Sequence, residues 1–212
     1  GLGDVYKRQI LYKTGNGTLW LANSANAFAN YIQLDAGFVR AESGTALGAS
    51  TDSHGLYING GTFEIRTSAA NAGTFSARNV GIYGSGTLFV SNQLVASGGS
   101  IGQNVTFGNF TTYTSNATMT YSGRDGYGVT VGSGTTIAIS SGNPFTVQNN
   151  LNGLLTLNNT FSMTDSTSRN MQFLGSGEVT LTGSFAGSSG DAQWISKIPG
   201  TFTVQGNNYP VS

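Results

Sequence analysis

The chain has 212 residues, a formal net charge of zero, no cysteine and only 8% charged residues. Disulfide staples and thiolate metal sites are therefore excluded, and with no basic patch to neutralise phosphates, nucleic acid is not an expected partner. The 38% hydrophobic residues, 32 glycines and three prolines exclude both a collagen and a charge-rich disordered chain, and they supply material for a continuous core.

Residues 1–9 stand apart, holding three of the 18 charged residues (Asp4, Lys7 and Arg8). They resemble the conceptual translation of a sequencing adapter and are read as a non-native scar, excluded from fold reasoning. Residues 10–212 are read as a single array truncated at both ends, with seven basic against eight acidic residues.

Within that array a short phrase recurs: a glycine, often a threonine, then apolar residues two and four places on. It reads Gly17-Thr18-Leu19-Trp20-Leu21, Gly37-Phe38-Val39-Arg40-Ala41, Gly61-Thr62-Phe63-Glu64-Ile65 and Gly86-Thr87-Leu88-Phe89-Val90. Less regular versions follow at Ala117-Thr118-Met119-Thr120-Tyr121 and Thr135-Thr136-Ile137-Ala138-Ile139. Regular ones return at Gly153-Leu154-Leu155-Thr156-Leu157, Gly177-Glu178-Val179-Thr180-Leu181 and Gly200-Thr201-Phe202-Thr203-Val204. The starts lie 20, 24, 25, 31, 18, 18, 24 and 23 residues apart. Period two puts the apolar pair on one face of a strand, and a repeat of this length marks a solenoid. Gly, Asn and Ser clusters between phrases supply turns, and no capped stretch of helical period occurs. A hairpin sandwich or barrel predicts turn signals every ~8–12 residues and antiparallel pairing; repetition at one full coil argues instead for stacked parallel strands. The fold expected is all-β, a right-handed parallel β-helix of about nine coils, ~40 Å long at ~4.8 Å per coil.

Residues 13–48 carry a family resemblance. Lys13-Thr14-Gly15-Asn16-Gly17-Thr18-Leu19-Trp20-Leu21 is followed by Asn26-Ala27-Phe28, Ile32-Gln33-Leu34, Asp35-Ala36-Gly37-Phe38-Val39-Arg40-Ala41 and Ala46-Leu47-Gly48. In order and spacing this resembles the autotransporter-associated β-strand repeat of Gram-negative passenger domains. A weaker echo runs from Lys197 to Tyr209. The resemblance implies a secreted or surface-displayed passenger, anchored in the outer membrane by a C-terminal domain that this segment lacks. Trp20, where the repeat usually has a small polar residue, Phe28 in place of Tyr and Asn23 in place of a turn glycine depart from the pattern.

Catalytic candidates are sparse. Carbohydrate-processing β-helices need converging carboxylates, whereas Asp35, Glu42, Asp52, Glu64, Asp125, Asp165, Glu178 and Asp191 fall at different offsets in their coils. His54 is the single histidine, two residues from Asp52, and adjacent residues on one loop rarely build a triad. No calcium repeat, phosphate-binding loop or dinucleotide fingerprint occurs, and no apolar run approaches the ~20 residues of a membrane helix. No catalytic residue, metal site or cofactor is expected.

The leading expectation is a non-catalytic stalk or spacer whose partners are the neighbouring coils of the full-length chain, with self-association of the isolated segment through its open ends. The alternative is an adhesin module that binds a glycan or cell-surface protein through outward aromatics, Trp20, Phe38 and Phe89; a polysaccharide-processing enzyme ranks third. Stacking of the glycines at 17, 37, 61 and 86 also makes a register prediction. Arg40 should neighbour Glu64, Glu42 should neighbour Arg66, and Trp20 should stack over Arg40.

Overall fold

A computed structural model describes residues 10–23, 26, 30–48, 55–92, 101–108, 110–112, 116–132, 136–139, 145–163, 169–186, 192–196 and 198–205. Strands are numbered in chain order. Sheet A stacks β1 (Leu11–Lys13), β3 (Ile32–Leu34), β5 (Leu56–Ile58), β7 (Val80–Ile82) and β10 (Phe110–Thr112). Sheet B stacks β2 (Thr18–Leu21), β4 (Phe38–Ala41), β6 (Thr62–Thr67), β8 (Gly86–Asn92), β11 (Thr118–Gly123), β14 (Phe145–Asn150), β17 (Arg169–Gly175) and β20 (Ala192–Ser196). Sheet C stacks β9 (Asn104–Thr106), β12 (Gly128–Val131), β15 (Leu155–Leu157), β18 (Val179–Leu181) and β21 (Phe202–Val204). Sheet D stacks β13 (Thr136–Ile139), β16 (Thr160–Met163) and β19 (Phe185–Ala186).

Every ladder among the described residues is parallel. Among the described residues, helix is limited to one α-turn, α1 (Ala69–Ala72), and to 3-10 turns at Gly44–Leu47 and Gly73–Ala77. The protein is a β-solenoid with three walls. Sheet A is continued by sheet D, since β10 lies against β13. Sheet B is the second wall and sheet C the third. Among the described residues, no strand of the early coils occupies the third wall. The turn at Gly44–Leu47 stacks there on the turn at Gly73–Ala77, which in turn packs on β9.

The coil count is a correction. Each coil crosses sheet B once, and sheet B has eight strands among the described residues, fewer than the nine expected. The phrases do not form a single column. Those at Gly17, Gly37, Gly61, Gly86 and Ala117 lie in sheet B; Thr135–Ile139 lies in sheet D, and those at Gly153, Gly177 and Gly200 lie in sheet C. One coil was therefore counted twice, through β13 and β15, while its sheet B strand, β14, went unnoticed. The irregular spacings are steps between walls.

Side chains follow the pleat. On sheet B, Val39, Ala41, Phe63, Ile65, Leu88, Val90, Met119 and Tyr121 point inward and are buried. On sheet C, Val129, Val131, Leu155, Leu157, Val179 and Leu181 do the same. The outward residue between each inward pair on sheet C is threonine, giving a half-exposed column of Thr106, Thr130, Thr156, Thr180 and Thr203. Where the wall changes, polar groups close the corners. The buried Asn149 donates from Nδ2 to the Glu178 carbonyl at 2.8 Å and accepts from the Leu151 N–H at 3.1 Å. Arg78, also buried, donates from Nε to the Gly44 carbonyl at 2.8 Å and from its terminal nitrogen to the Gly48 carbonyl, tying the two helical turns of the third wall together.

Candidate functional site

Sheet B presents most of the residues singled out from the sequence. One outward column runs Trp20, Arg40, Glu64, Phe89, Ser122 and Asn150. Arg40 stands opposite Glu64 and donates from Nε to Glu64 Oε2 at 2.7 Å. Arg66 sits two places along the same strand as Glu64, so both point outward. It donates to Glu64 Oε1 at 2.6 Å and to Ser91 Oγ at 2.7 Å on the next strand. Ser91 Oγ reaches Asp125 Oδ2 at 3.2 Å, and the same oxygen accepts the Asn92 N–H at 3.1 Å. Glu42 follows the end of β4, where the ladder closes at Ala41 opposite Ile65, one residue short of the expected pairing with Arg66.

The Glu64 side chain is only 8% exposed. Burial alone would raise its pKa. The hydrogen bonds and positive charges of Arg40 and Arg66 outweigh that and hold the carboxyl below its ordinary value of 4.5. Glu64→Gln is expected to lower stability by about 1–2 kcal/mol at neutral pH, since two guanidinium groups lose their counter-charge at a nearly buried position. A depressed folded-state pKa means that this contribution is complete above the unfolded value near 4.5 and fades as pH falls through the folded one. Urea titrations of both proteins from about pH 7 to about pH 3 check the sign: the gap should narrow below the unfolded value, and a constant gap contradicts it.

The aromatic trio is split by this charged strap. Trp20 is 50% exposed with the Arg40 guanidinium carbon 6.0 Å from its ring centroid. Phe38 is 42% exposed and sits diagonally from Trp20. Phe89 is only half-exposed, three rungs from Trp20, with the Arg66 guanidinium carbon 5.1 Å above its ring. The trio therefore forms no continuous patch; Trp20 and Phe89 each end the strap as a cation–π partner.

The remaining acids are dispersed. Asp35 lies in the turn between sheets A and B. Glu178 lines a shallow cavity of about 530 Å³ with Leu151, Asn152, Gly153, Leu154, Ser176 and Gly177. No group of three or more His, Cys, Asp or Glu residues placed to hold a metal occurs among the described residues. His54, Asp52, Asp165, Asp191 and Phe28, together with residues 1–9 and 206–212, lie outside the described residues. No helix among the described residues is long and apolar enough to cross a membrane.

Sheet A carries a second outward surface, one that reading by the phrase passed over. Its central column runs Tyr12, Gln33, Tyr57 and Gly81. Tyr12 is 56% and Tyr83 44% exposed, and Tyr57 is wedged between Tyr31 at 4.4 Å and Tyr83 at 4.9 Å, centroid to centroid. The signal lay in the alternation of Leu11-Tyr12-Lys13, Ile32-Gln33-Leu34, Leu56-Tyr57-Ile58 and Val80-Gly81-Ile82, which recurs one turn ahead of the glycine phrase. The chain significantly matches no known protein family, no curated protein and no solved structure.

Proposed function

We propose that this segment is a rigid, non-catalytic stalk or spacer within a secreted or surface-displayed passenger of the autotransporter kind, held in the outer membrane by a domain outside it. The observation that carries this reading is the unbroken eight-strand parallel ladder of sheet B. Seven rung steps of ~4.8 Å give a rod of about 34 Å, with the core running its length and the central charges bound into a lengthwise strap. Bracing runs mainly between adjacent rungs, the buried bond from the Tyr127 hydroxyl to the Thr67 carbonyl at 2.7 Å reaching two rungs, which suits a spacer whose length changes by whole coils. The resemblance over residues 13–48 supplies the cellular setting.

Two experiments test it. Deleting residues 37–60 removes one coil in register, because Phe38 is opposite Thr62. The shortened protein is expected to stay folded, with a maximum dimension about 5 Å smaller by small-angle scattering. Loss of the fold would contradict independent coils. In the complete surface protein, replacing residues 10–212 with an unrelated solenoid of equal coil number is expected to leave surface display intact. Loss of display would show that the segment does more than set distance.

A further inference from the structure

We propose that the outer face of sheet A is a carbohydrate-binding surface for a neutral oligosaccharide lying along the solenoid axis. The proposal goes beyond the stalk reading and stands without it. On β1, β3, β5 and β7 the flanking residues are the inward ones: Ile32, Leu34, Leu56, Ile58, Val80 and Ile82 are all buried. The pleat therefore turns Tyr12 and Gln33 outward, and Tyr57 the same way, though Tyr31 and Tyr83 cover its ring and leave it 7% exposed.

Beside this column lie Asp35 and Asn59, two places beyond Gln33 and Tyr57. Gln33 Nε2 donates to Asp35 Oδ1 at 2.8 Å, and Asn59 Nδ2 donates to the same oxygen at 3.0 Å. One carboxylate oxygen thus pins two amides from adjacent rungs. Asp35 Oδ2 makes no hydrogen bond within the described residues, and neither do the amide oxygens of Gln33 and Asn59. Three acceptors are fixed in place by contacts inside the patch, so they lose little freedom when they bind. Asn59 is exposed, while Gln33 and Asp35 are half-exposed.

The exposed rings bracket this polar centre. Tyr12 is on the first rung of sheet A and Tyr83 follows the fourth, about 14 Å apart along the axis at ~4.8 Å per rung. Aromatic faces stack on the C–H faces of sugar rings, and an acidic and amide group between them accepts hydrogen bonds from adjacent hydroxyls. The span calls for a chain of sugars rather than one. Charge selects a neutral chain: the nearest cation in sequence, Lys13, has its ammonium bonded to the carbonyls of Thr14, Gly15 and Ala36 at 2.9, 2.6 and 3.1 Å. The acid of the patch, Asp35, forms no ion pair within the described residues and repels uronate chains.

Titration calorimetry of the whole chain with cellohexaose, xylohexaose and chitohexaose tests the proposal, with polygalacturonate as the anionic comparison. At least one neutral hexaose is expected to bind. Tyr12→Ala and Tyr83→Ala are each expected to weaken it about tenfold or more, while Trp20→Ala on sheet B leaves it within about twofold. O-methylation of the bound hexaose keeps its stacking faces but removes its hydroxyl donors, and should abolish binding to the unaltered protein. No binding by any neutral hexaose, binding of polygalacturonate alone, full binding by the Tyr12→Ala/Tyr83→Ala double variant, loss in Trp20→Ala, or undiminished binding of the methylated sugar would each overturn the assignment.

Discussion

Phe63→Ala is expected to cost about 3–5 kcal/mol, the range for removing a fully buried aromatic side chain. Phe63 is 0% exposed and is a meeting point of two sheets and a helical turn. It comes from β6, and its ring lies 6.5 Å from Phe75, in the 3-10 turn of the third wall, and 6.5 Å from Phe107, just after β9. Phe75 and Phe107 are themselves 5.6 Å apart. Without Phe63, both neighbours lose their shared partner at the place where the third wall changes from helical turns to strand. Collapse around the void is limited, because the backbones on every side are tied into ladders. The urea midpoint should fall with little change in slope. Hydrogen-exchange protection should drop most in β4, β6, β8 and β9 and least in β17 and β18, since contacts run mainly between adjacent coils. Phe38→Ala, 42% exposed on the outward side of the same sheet, serves as comparison and should change stability by about 0.5 kcal/mol or less. Equal effects at the two positions would mean that the inward and outward faces of sheet B are wrongly assigned.

Gly61→Ala is expected to cost about 3 kcal/mol, and Gly73→Ala nothing or less than nothing. Gly61 has φ +68, where an L side chain costs about 1–2 kcal/mol. A Cβ there would also lie 2.5 Å from the Gly37 carbonyl oxygen and 3.0 Å from the Ala36 carbonyl carbon, both backbone atoms of the coil below. Those atoms can retreat only by lengthening the 2.8 Å bond from Thr62 N–H to the Gly37 oxygen, which costs about 1 kcal/mol more. Gly73 has φ −70 and ψ −16, and a Cβ would meet nothing within 4 Å. Alanine there restricts the unfolded chain without straining the folded one and should stabilise by about 0.4–1 kcal/mol. Thermal melts of the two variants under one set of conditions check the contrast. A similar loss at both sites would mean that the positive φ and the stacked turn at Gly61 do not set its cost.

The parallel stack was legible because its signal is local and repeated. Each apolar pair in Leu19/Leu21, Phe63/Ile65 or Leu155/Leu157 declares one inward face, and repetition at one coil length declares stacking. The Arg40–Glu64 neighbourhood came from the same source, since equal offsets in β4 and β6 become neighbours in register. The same offsets set Arg66 beside Glu42, whereas the acid it bonds, Glu64, is on its own strand. Residues two apart on a strand share a face, and long side chains span that gap as readily as the gap between rungs. The sheet A patch escaped this reasoning. The phrase begins at the glycine, so Tyr12 and Tyr57 fall outside it, and Gln33 enters only through the resemblance over residues 13–48.

By itself the sequence determined that the chain is a solenoid of short, two-period strands with a continuous core, because inward apolar pairs and turn glycines are properties of neighbouring residues. Only the tertiary structure decided which wall each strand joins. The phrase at Gly61 and the phrase at Gly177 look alike, yet one lies in sheet B and the other in sheet C. Any of the three walls accepts an apolar–polar–apolar strand, so local pattern cannot distinguish them. Wall identity is set by what the chain traverses between strands: helical turns in the early coils, and a third strand per coil from β9 onward. Those choices are enforced by contacts a full coil away, such as Arg78 with Gly44 and Gly48, or Asn149 with Glu178.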